Sequence, residues 1–91
     1  MLTGKQRSLL RSMANQIQPI FQVGKEGIDE NVIKQFDEAL EARELVKATV
    51  LKNSILDTRE VCEEIAEKTN SEIVQVIGRK FVLYRKSKKE K

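Results

Sequence analysis

The chain has 91 residues, of which 40% are apolar, and this is enough for one small domain with a single core. It contains no histidine, the commonest general base and metal ligand, and its single cysteine, Cys62, can form no internal disulfide. The composition therefore disfavours an enzyme and predicts a cytoplasmic protein that uses no cofactor, metal or small-molecule substrate. The longest apolar run is residues 81–84, which is too short to cross a membrane.

The net charge of +3 is unevenly distributed along the chain. Residues 1–25 sum to +4, residues 26–76 to −7 and residues 77–91 to +6. Two basic ends thus flank an acidic middle, and this pattern favours a polyanionic partner that contacts the ends.

The first predicted element is a helix from Gly4 to Asn15. Thr3 and Gln6 have the spacing of a capping box, and apolar residues then recur at helical intervals. Three bases lie within the helix: Lys5, Arg7 and Arg11. Because mutual repulsion and the helix dipole make them unfavourable for the helix itself, contact with an external anion is one interpretation. A solvated polar face is the other.

Pro19–Val23 predicts the first strand, and a turn follows in which Gly24 and Gly27 flank two residues, the first of them Lys25. Glycines let the backbone turn sharply and bring its amide groups close to a phosphate chain. Asp29 can cap the helix that begins after it. A strand, a G-x-x-G turn and a helix N-terminus together predict a place for a nucleic-acid backbone.

The rest of the chain predicts two further helices and three further strands. They are a helix from Glu30 to Ala42, a strand from Leu45 to Leu51, a helix capped by Asp57 and ending near Asn70, a strand from Glu72 to Ile77 and a strand from Phe81 to Arg85. A tight turn, Gly78–Lys80, joins the last two strands, and Lys86–Lys91 predicts a disordered basic tail. Cys62 lies on the apolar stripe of its helix, so we interpret it as part of the core.

These elements predict an α/β fold of two layers: an N-terminal helix, then β-α-β-α-β-β with a mixed four-stranded sheet. Helical crossovers make the first three strands parallel, and the tight turn makes the last one antiparallel. The Gly24–Gly27 and Gly78–Lys80 turns then lie at the same edge of the sheet, where open α/β sheets bind ligands. If the first helix runs antiparallel to the first strand, Lys5 and Arg7 also reach this edge. The sequence does not show which face of the sheet that helix covers.

Three segments, Val23–Ile28, Glu44–Lys47 and Val76–Arg85, resemble a known family. Over nearly its whole length the chain is similar to the CRM domain (chloroplast RNA splicing and ribosome maturation), and most of all to its stand-alone bacterial form, the YhbY-like proteins. The resemblance implies a fold similar to the C-terminal domain of translation initiation factor three, with RNA bound at the glycine turn. For bacterial members it also implies association with precursors of the large ribosomal subunit.

We therefore expect residues 1–85 to form a single RNA-binding domain, which acts as a monomer on ribosomal RNA of precursor large subunits during ribosome assembly. No membrane is expected as a partner. The expected RNA-binding residues are Gly24, Lys25, Gly27, Lys5, Arg7, Arg11, Arg79, Lys80 and Arg85. The alternative is a non-catalytic protein-interaction module whose acidic middle docks a basic ribosomal protein.

Overall fold

Three helices and four strands follow one another in the predicted order in a computed structural model, which describes residues 2–24, 27–52 and 57–86. The elements are α1 (Gly4–Ala14), β1 (Phe21–Val23), α2 (Glu30–Arg43), β2 (Leu45–Val50), α3 (Thr58–Thr69), β3 (Glu72–Ile77) and β4 (Lys80–Tyr84). The predicted fold class is confirmed. The predicted tail lies outside the described residues except for Lys86. None of the helices in the described ranges is long and apolar enough to cross a bilayer.

Each helix begins at a side-chain cap that the sequence predicts. Thr3 Oγ1 accepts a hydrogen bond from the Gln6 amide at 3.1 Å, and Gln6 Oε1 accepts one from the Thr3 amide at 2.9 Å. Asp29 and Asp57 each accept from the backbone N–H three residues further on. These bonds satisfy donors that the first helical turn leaves without partners, so three local signals fix where the helices start.

The sheet has the strand order β1-β2-β4-β3, with β1 parallel to β2 and β4 antiparallel to both of its neighbours. As predicted, β1, β2 and β3 therefore point the same way. Their carboxyl ends meet at one edge, which we name the carboxyl edge: Gly24, Gly27 and residues 51–52 and 78–80. Two backbone bonds hold this edge together. The Leu51 amide donates to the Val23 carbonyl at 2.9 Å, and the Val50 amide donates to the Arg79 carbonyl at 2.6 Å.

One face of the sheet packs against α2 and α3 and forms the main core. The Phe36 ring lies 4.6 Å from the Phe21 ring and 6.0 Å from the Phe81 ring, measured between centroids. Cys62 is fully buried here, as predicted, and burial raises the pKa of its thiol to about 12. The thiol therefore stays protonated at neutral pH and serves as apolar filling.

The opposite face packs against α1, which answers the question that the sequence left open. Ala14 is buried against Val74 and Val82, and partly buried apolar side chains surround this second cluster. They are Leu2, Leu10, Leu45 and Tyr84. Helices therefore pack on both faces of the sheet. On this second face α1 is the only helix of the described residues, and it leaves part of the sheet uncovered.

The antiparallel orientation of α1 and β1, on which the convergence of Lys5 and Arg7 with the carboxyl edge depended, is not observed. Leu2 and Gln6 lie beside Tyr84, which pairs with Leu45 at the amino end of β2. The other end of α1 lies further along β2, where Lys47 Nζ donates to the carbonyls of Ala14 at 3.2 Å and Ile17 at 3.4 Å. A lysine that caps carbonyls at a helix C-terminus is favourable for the helix. α1 thus runs in the same general direction as β1.

Candidate nucleic-acid interface

The glycine turn at the carboxyl edge is closed by its own backbone. The Gly27 amide donates to the Gly24 carbonyl at 3.0 Å, and Gly27 has a φ of 75°. That backbone conformation is easy for glycine and strained for most other residues, so the turn favours glycine at this position. Lys25, a predicted RNA-binding residue, and Glu26 lie outside the described residues. The turn leads into Asp29 and the N-terminus of α2, as predicted.

The second turn brings two exposed bases to the same edge. Gly78 and Arg79 form a two-residue loop between Ile77 and Lys80, and Gly78 has a φ of 58°. Glycine at the first loop position is what a type II′ hairpin needs. Arg79 and Lys80 are both exposed, and the Arg79 carbonyl is held by the amide at the end of β2. The structure therefore fixes the backbone that carries these bases and leaves their charges in solvent.

A third base at the carboxyl edge was missed by sequence reasoning. Lys52 lies two residues after the end of β2 and is exposed. Because β2 is parallel to β1, its carboxyl end lies at the same edge as the glycine turn. The predicted strand directions imply this position, but Lys52 belongs to no motif in the sequence.

The bases of α1 do not all reach this edge. Lys5 and Arg7 lie in the first turns of α1, at the end beside Tyr84, so the predicted convergence of these two residues with the carboxyl edge is wrong. Arg11 is exposed and lies one helical turn before Asn15, which borders a depression shared with Lys80. Of the three α1 bases, Arg11 is thus nearest in the fold to the second turn.

Arg85, also expected to contact RNA, is buried in a structural anchor. Only 10% of its side chain is exposed, and its guanidinium donates to Asp37 Oδ1, to the Asp37 carbonyl, to Glu41 and to the Thr69 carbonyl. This burial of Arg85 was not predicted, because α2 and the end of α3 provide acceptors that the sequence around Arg85 does not reveal.

The strand register places four side chains in a row beneath the carboxyl edge. Gln22 pairs with Thr49, Thr49 with Lys80, and Lys80 with Ile77. Directly paired residues share a face, and the alternate residues of β2 and β4 point into the main core. The row therefore lies on the α1 side of the sheet. We name it the open row, because Gln22, Lys80 and Ile77 are exposed and Thr49 is half-buried.

Known proteins resemble this chain over all or nearly all of its length. The Bacillus subtilis protein named "Probable RNA-binding protein YqeI" is 53% identical over 91 residues, which cover all of this chain and 95% of that protein. The Methanocaldococcus jannaschii protein named "Probable RNA-binding protein MJ0652" is 41% identical over 86 residues, which cover 92% of this chain and 63% of that protein.

A solved structure is also similar to this chain in both sequence and fold. The solution structure of the Staphylococcus aureus protein SAV1595, described as a candidate RNA-binding protein, superposes with a TM-score of 0.81 and is 57% identical. The superposition covers 100% of this chain and 95% of that one. The sequence profile of the CRS1 / YhbY (CRM) domain matches residues 2–85. This protein is a member of the CRS1 / YhbY (CRM) domain family.

Proposed function

We propose that this protein binds RNA through its carboxyl edge. The observation that carries the proposal is the junction of two glycine-containing turns with three exposed bases: Lys52, Arg79 and Lys80. None of these bases forms an ion pair with another residue of the described ranges. Exposed cations on a hydrogen-bonded sheet edge are suited to phosphate contacts, and the names of the two relatives point to RNA as the source of the phosphates.

We extend the proposal to ribosomal RNA in precursors of the large subunit, acting in ribosome assembly. The support for this step is the resemblance to stand-alone bacterial members of the family. Residues 1–85 form the RNA-binding domain in this proposal, with Gly24, Lys25 and Gly27 at the glycine turn and Arg11 on the side of the second turn. Residues 86–91 contain four lysines and one glutamate, which attract phosphates without fixing a position on the RNA.

The competing function, docking of a basic protein on the acidic middle, is weakened by how the acids are used. Asp37 and Glu41 bind the Arg85 guanidinium. On α3, Glu63 and Glu64 lie within 4 Å of Arg59 and Lys68, respectively. Four acids of the middle are thus already paired within the fold, whereas no ion pair joins the bases of the carboxyl edge to another described residue.

Binding to deproteinised large-subunit RNA tests the proposal. The protein is titrated against this RNA over a range of salt concentrations and, separately, against large-subunit proteins freed of RNA. We expect saturable binding to the RNA that weakens linearly on a log–log salt plot, and no comparable binding to the proteins. Binding to the proteins alone would overturn the proposal and favour the docking function. In cells, crosslinking followed by sequencing should recover large-subunit RNA, and recovery of unrelated transcripts would refute the ribosomal part.

A further inference from the structure

The open row offers apolar surface directly beside the proposed phosphate contacts. Ile77, the last residue of β3, lies at one end of the row, and this large apolar side chain is 63% exposed. The adjacent residue of the row is Lys80, whose exposed side chain forms no ion pair with another described residue. Arg79 lies next to it at the edge itself. The four strands span about 14 Å, because neighbouring strands lie about 4.8 Å apart. One exposed apolar side chain, Ile77, thus lies next to the cation Lys80, and the polar side chains of Thr49 and Gln22 continue the row.

A small depression adjoins the Ile77 end of the row. It has a volume of about 130 Å³ and is lined by Asn15, Lys47, Gln75, Ile77, Lys80 and Val82. That volume is well below the range of about 300–1,000 Å³ typical of drug-sized ligands. The depression is therefore suited to one flat group and too small for a packed helix. None of its six lining residues carries a negative charge, so an anionic strand meets no repulsion there.

The depression also has the hydrogen-bonding groups that a nucleobase needs. The amides of Asn15 and Gln75 each contain two N–H donors and a carbonyl acceptor, which can match the mixed donors and acceptors of a base edge. Asn15 is held in place indirectly, because Lys47 binds the carbonyls of Ala14 and Ile17 on both sides of it. A site whose polar groups sit on a capped helix end and a strand is largely formed before the ligand arrives.

We infer that the open row and its depression bind an unpaired segment of RNA, with one base on Ile77 and its edge at the Asn15 and Gln75 amides. Arg79 and Lys80 then contact the phosphates of the same segment. The inference rests on the proposed function and adds the class of RNA to it. Base edges are accessible in loops, bulges and single strands, whereas the deep major groove of an RNA helix excludes side chains. Charge complementarity favours RNA over an acidic or neutral peptide, since the peptide offers fewer anionic groups to these cations.

The probes are single-stranded homopolymers of adenosine, uridine and cytidine, with an RNA duplex of equal length for comparison. We expect the parent protein to bind at least one single strand more tightly than the duplex. Ile77→Ala should weaken that binding roughly fivefold, because a base loses the apolar surface on which it rests. Asn15→Ala combined with Gln75→Ala should reduce the differences among the three homopolymers while leaving the salt slope unchanged, since no charge is removed.

Leu9→Ala is the matched control for Ile77→Ala, because Leu9 is also 63% exposed but lies on α1 beside Leu2 and Gln6. We expect it to bind every RNA as the parent does. The side-chain amide signals of Asn15 and Gln75 in nuclear magnetic resonance spectra should shift on titration with the preferred single strand.

Equal affinity for duplex and single strands, or equal losses from Ile77→Ala and Leu9→Ala, would overturn the inference while leaving RNA binding intact. If the parent binds none of these RNAs and no ribosomal RNA either, the proposed function itself is wrong. If Ile77→Ala keeps full RNA affinity but no longer binds a ribosomal protein that the parent binds, the row is a protein-docking surface and the inference is again wrong.

Discussion

Arg85 and Asp37 lie 48 residues apart in the chain, yet the Arg85 guanidinium approaches Asp37 Oδ1 to 2.6 Å. The same guanidinium donates to the Asp37 carbonyl at 2.9 Å and to the Thr69 carbonyl at 2.7 Å. It thus joins the residue after β4 to the middle of α2 and to the last turn of α3. A cation that donates to carbonyls at a helix C-terminus also complements the helix dipole.

We expect Arg85→Ala to lower the free energy of unfolding by about 2–3 kcal/mol, because carbonyls in the anchor lose a charged donor. Arg85→Lys should recover only part of this loss, since one ammonium cannot replace a planar fork that reaches several acceptors. The Asp37 carboxylate is 57% exposed, so Asp37→Asn should cost less than about 1 kcal/mol. Urea denaturation measures all three. Unchanged stability of Arg85→Ala together with a flatter salt dependence of RNA binding would show that Arg85 contacts RNA after all.

The basic residues of the carboxyl edge should account for a measurable part of the salt dependence of RNA affinity. Changing Arg79 and Lys80 to Ala together should reduce the log–log salt slope by about 1.4 if each neutralises one phosphate of a single strand. The stability should hardly change, because both side chains are exposed. Filter binding at several salt concentrations gives the slope.

Two matched pairs control for general charge attraction. Arg59→Ala with Lys68→Ala removes the same charge from α3, where both residues already have acidic neighbours. Lys5→Ala with Arg7→Ala removes it from the end of α1 that lies away from the carboxyl edge. Each pair should change the slope by much less than the Arg79 and Lys80 pair. Equal changes in the salt slope from all three pairs would mean that RNA is attracted by the overall positive charge and not bound at the carboxyl edge.

The features predicted correctly from the sequence are those that depend on near neighbours. Thr3 finds its partner three residues on, Asp29 and Asp57 do the same, and the core position of Cys62 follows from helical periodicity. The direction of the strands also followed, because helical crossovers are almost always right-handed. Strand β1 begins at Phe21 instead of Pro19, a difference within the usual uncertainty at the ends of elements.

The features missed depend on contacts between distant parts of the chain. The end of α1 lies beside Lys47, which binds the carbonyls of Ala14 and Ile17 from across 30 or more residues. Arg85 belongs to a basic stretch in the sequence, but its acceptors lie on two helices far upstream. A local pattern shows that a residue is charged, and only the assembled fold shows whether that charge is already satisfied.

Burial of Cys62 should make the protein less stable at high pH. The folded-state pKa of the thiol is about 12 and the ordinary value is 9.0, so above pH 9 the unfolded chain releases a proton that the folded chain retains. The stabilising contribution is complete below pH 9 and is lost as the pH rises towards 12, reaching a loss of about 2 kcal/mol near pH 10.5. Urea denaturation of the parent and of Cys62→Ala at pH 8 and pH 10.5 isolates the thiol. A difference between the two proteins that does not change with pH would contradict this account.

Gly27 has a φ of 75°, and the hydrogen bond from its amide to the Gly24 carbonyl closes the glycine turn. Because that amide is used within the turn, we do not expect it to donate to RNA. A test at this position must therefore separate a change in the backbone conformation of the turn from a change in its charge. Gly27→Asn and Gly27→Asp place side chains of almost equal size at this position, and asparagine tolerates positive φ well. Both variants should fold, with a loss of stability of about 1 kcal/mol.

The aspartate, however, adds a negative charge at the carboxyl edge. At a distance of about 4 Å in water this costs about 1 kcal/mol against a phosphate, so Gly27→Asp should bind RNA roughly fivefold more weakly than Gly27→Asn. The difference should shrink at high salt, because screening weakens the repulsion. Thermal unfolding followed by circular dichroism checks that the two variants are folded, and filter binding at two salt concentrations compares their affinities. If the folded aspartate variant binds RNA as tightly as the asparagine variant at low salt, phosphates do not approach the turn, and the turn only connects β1 to α2.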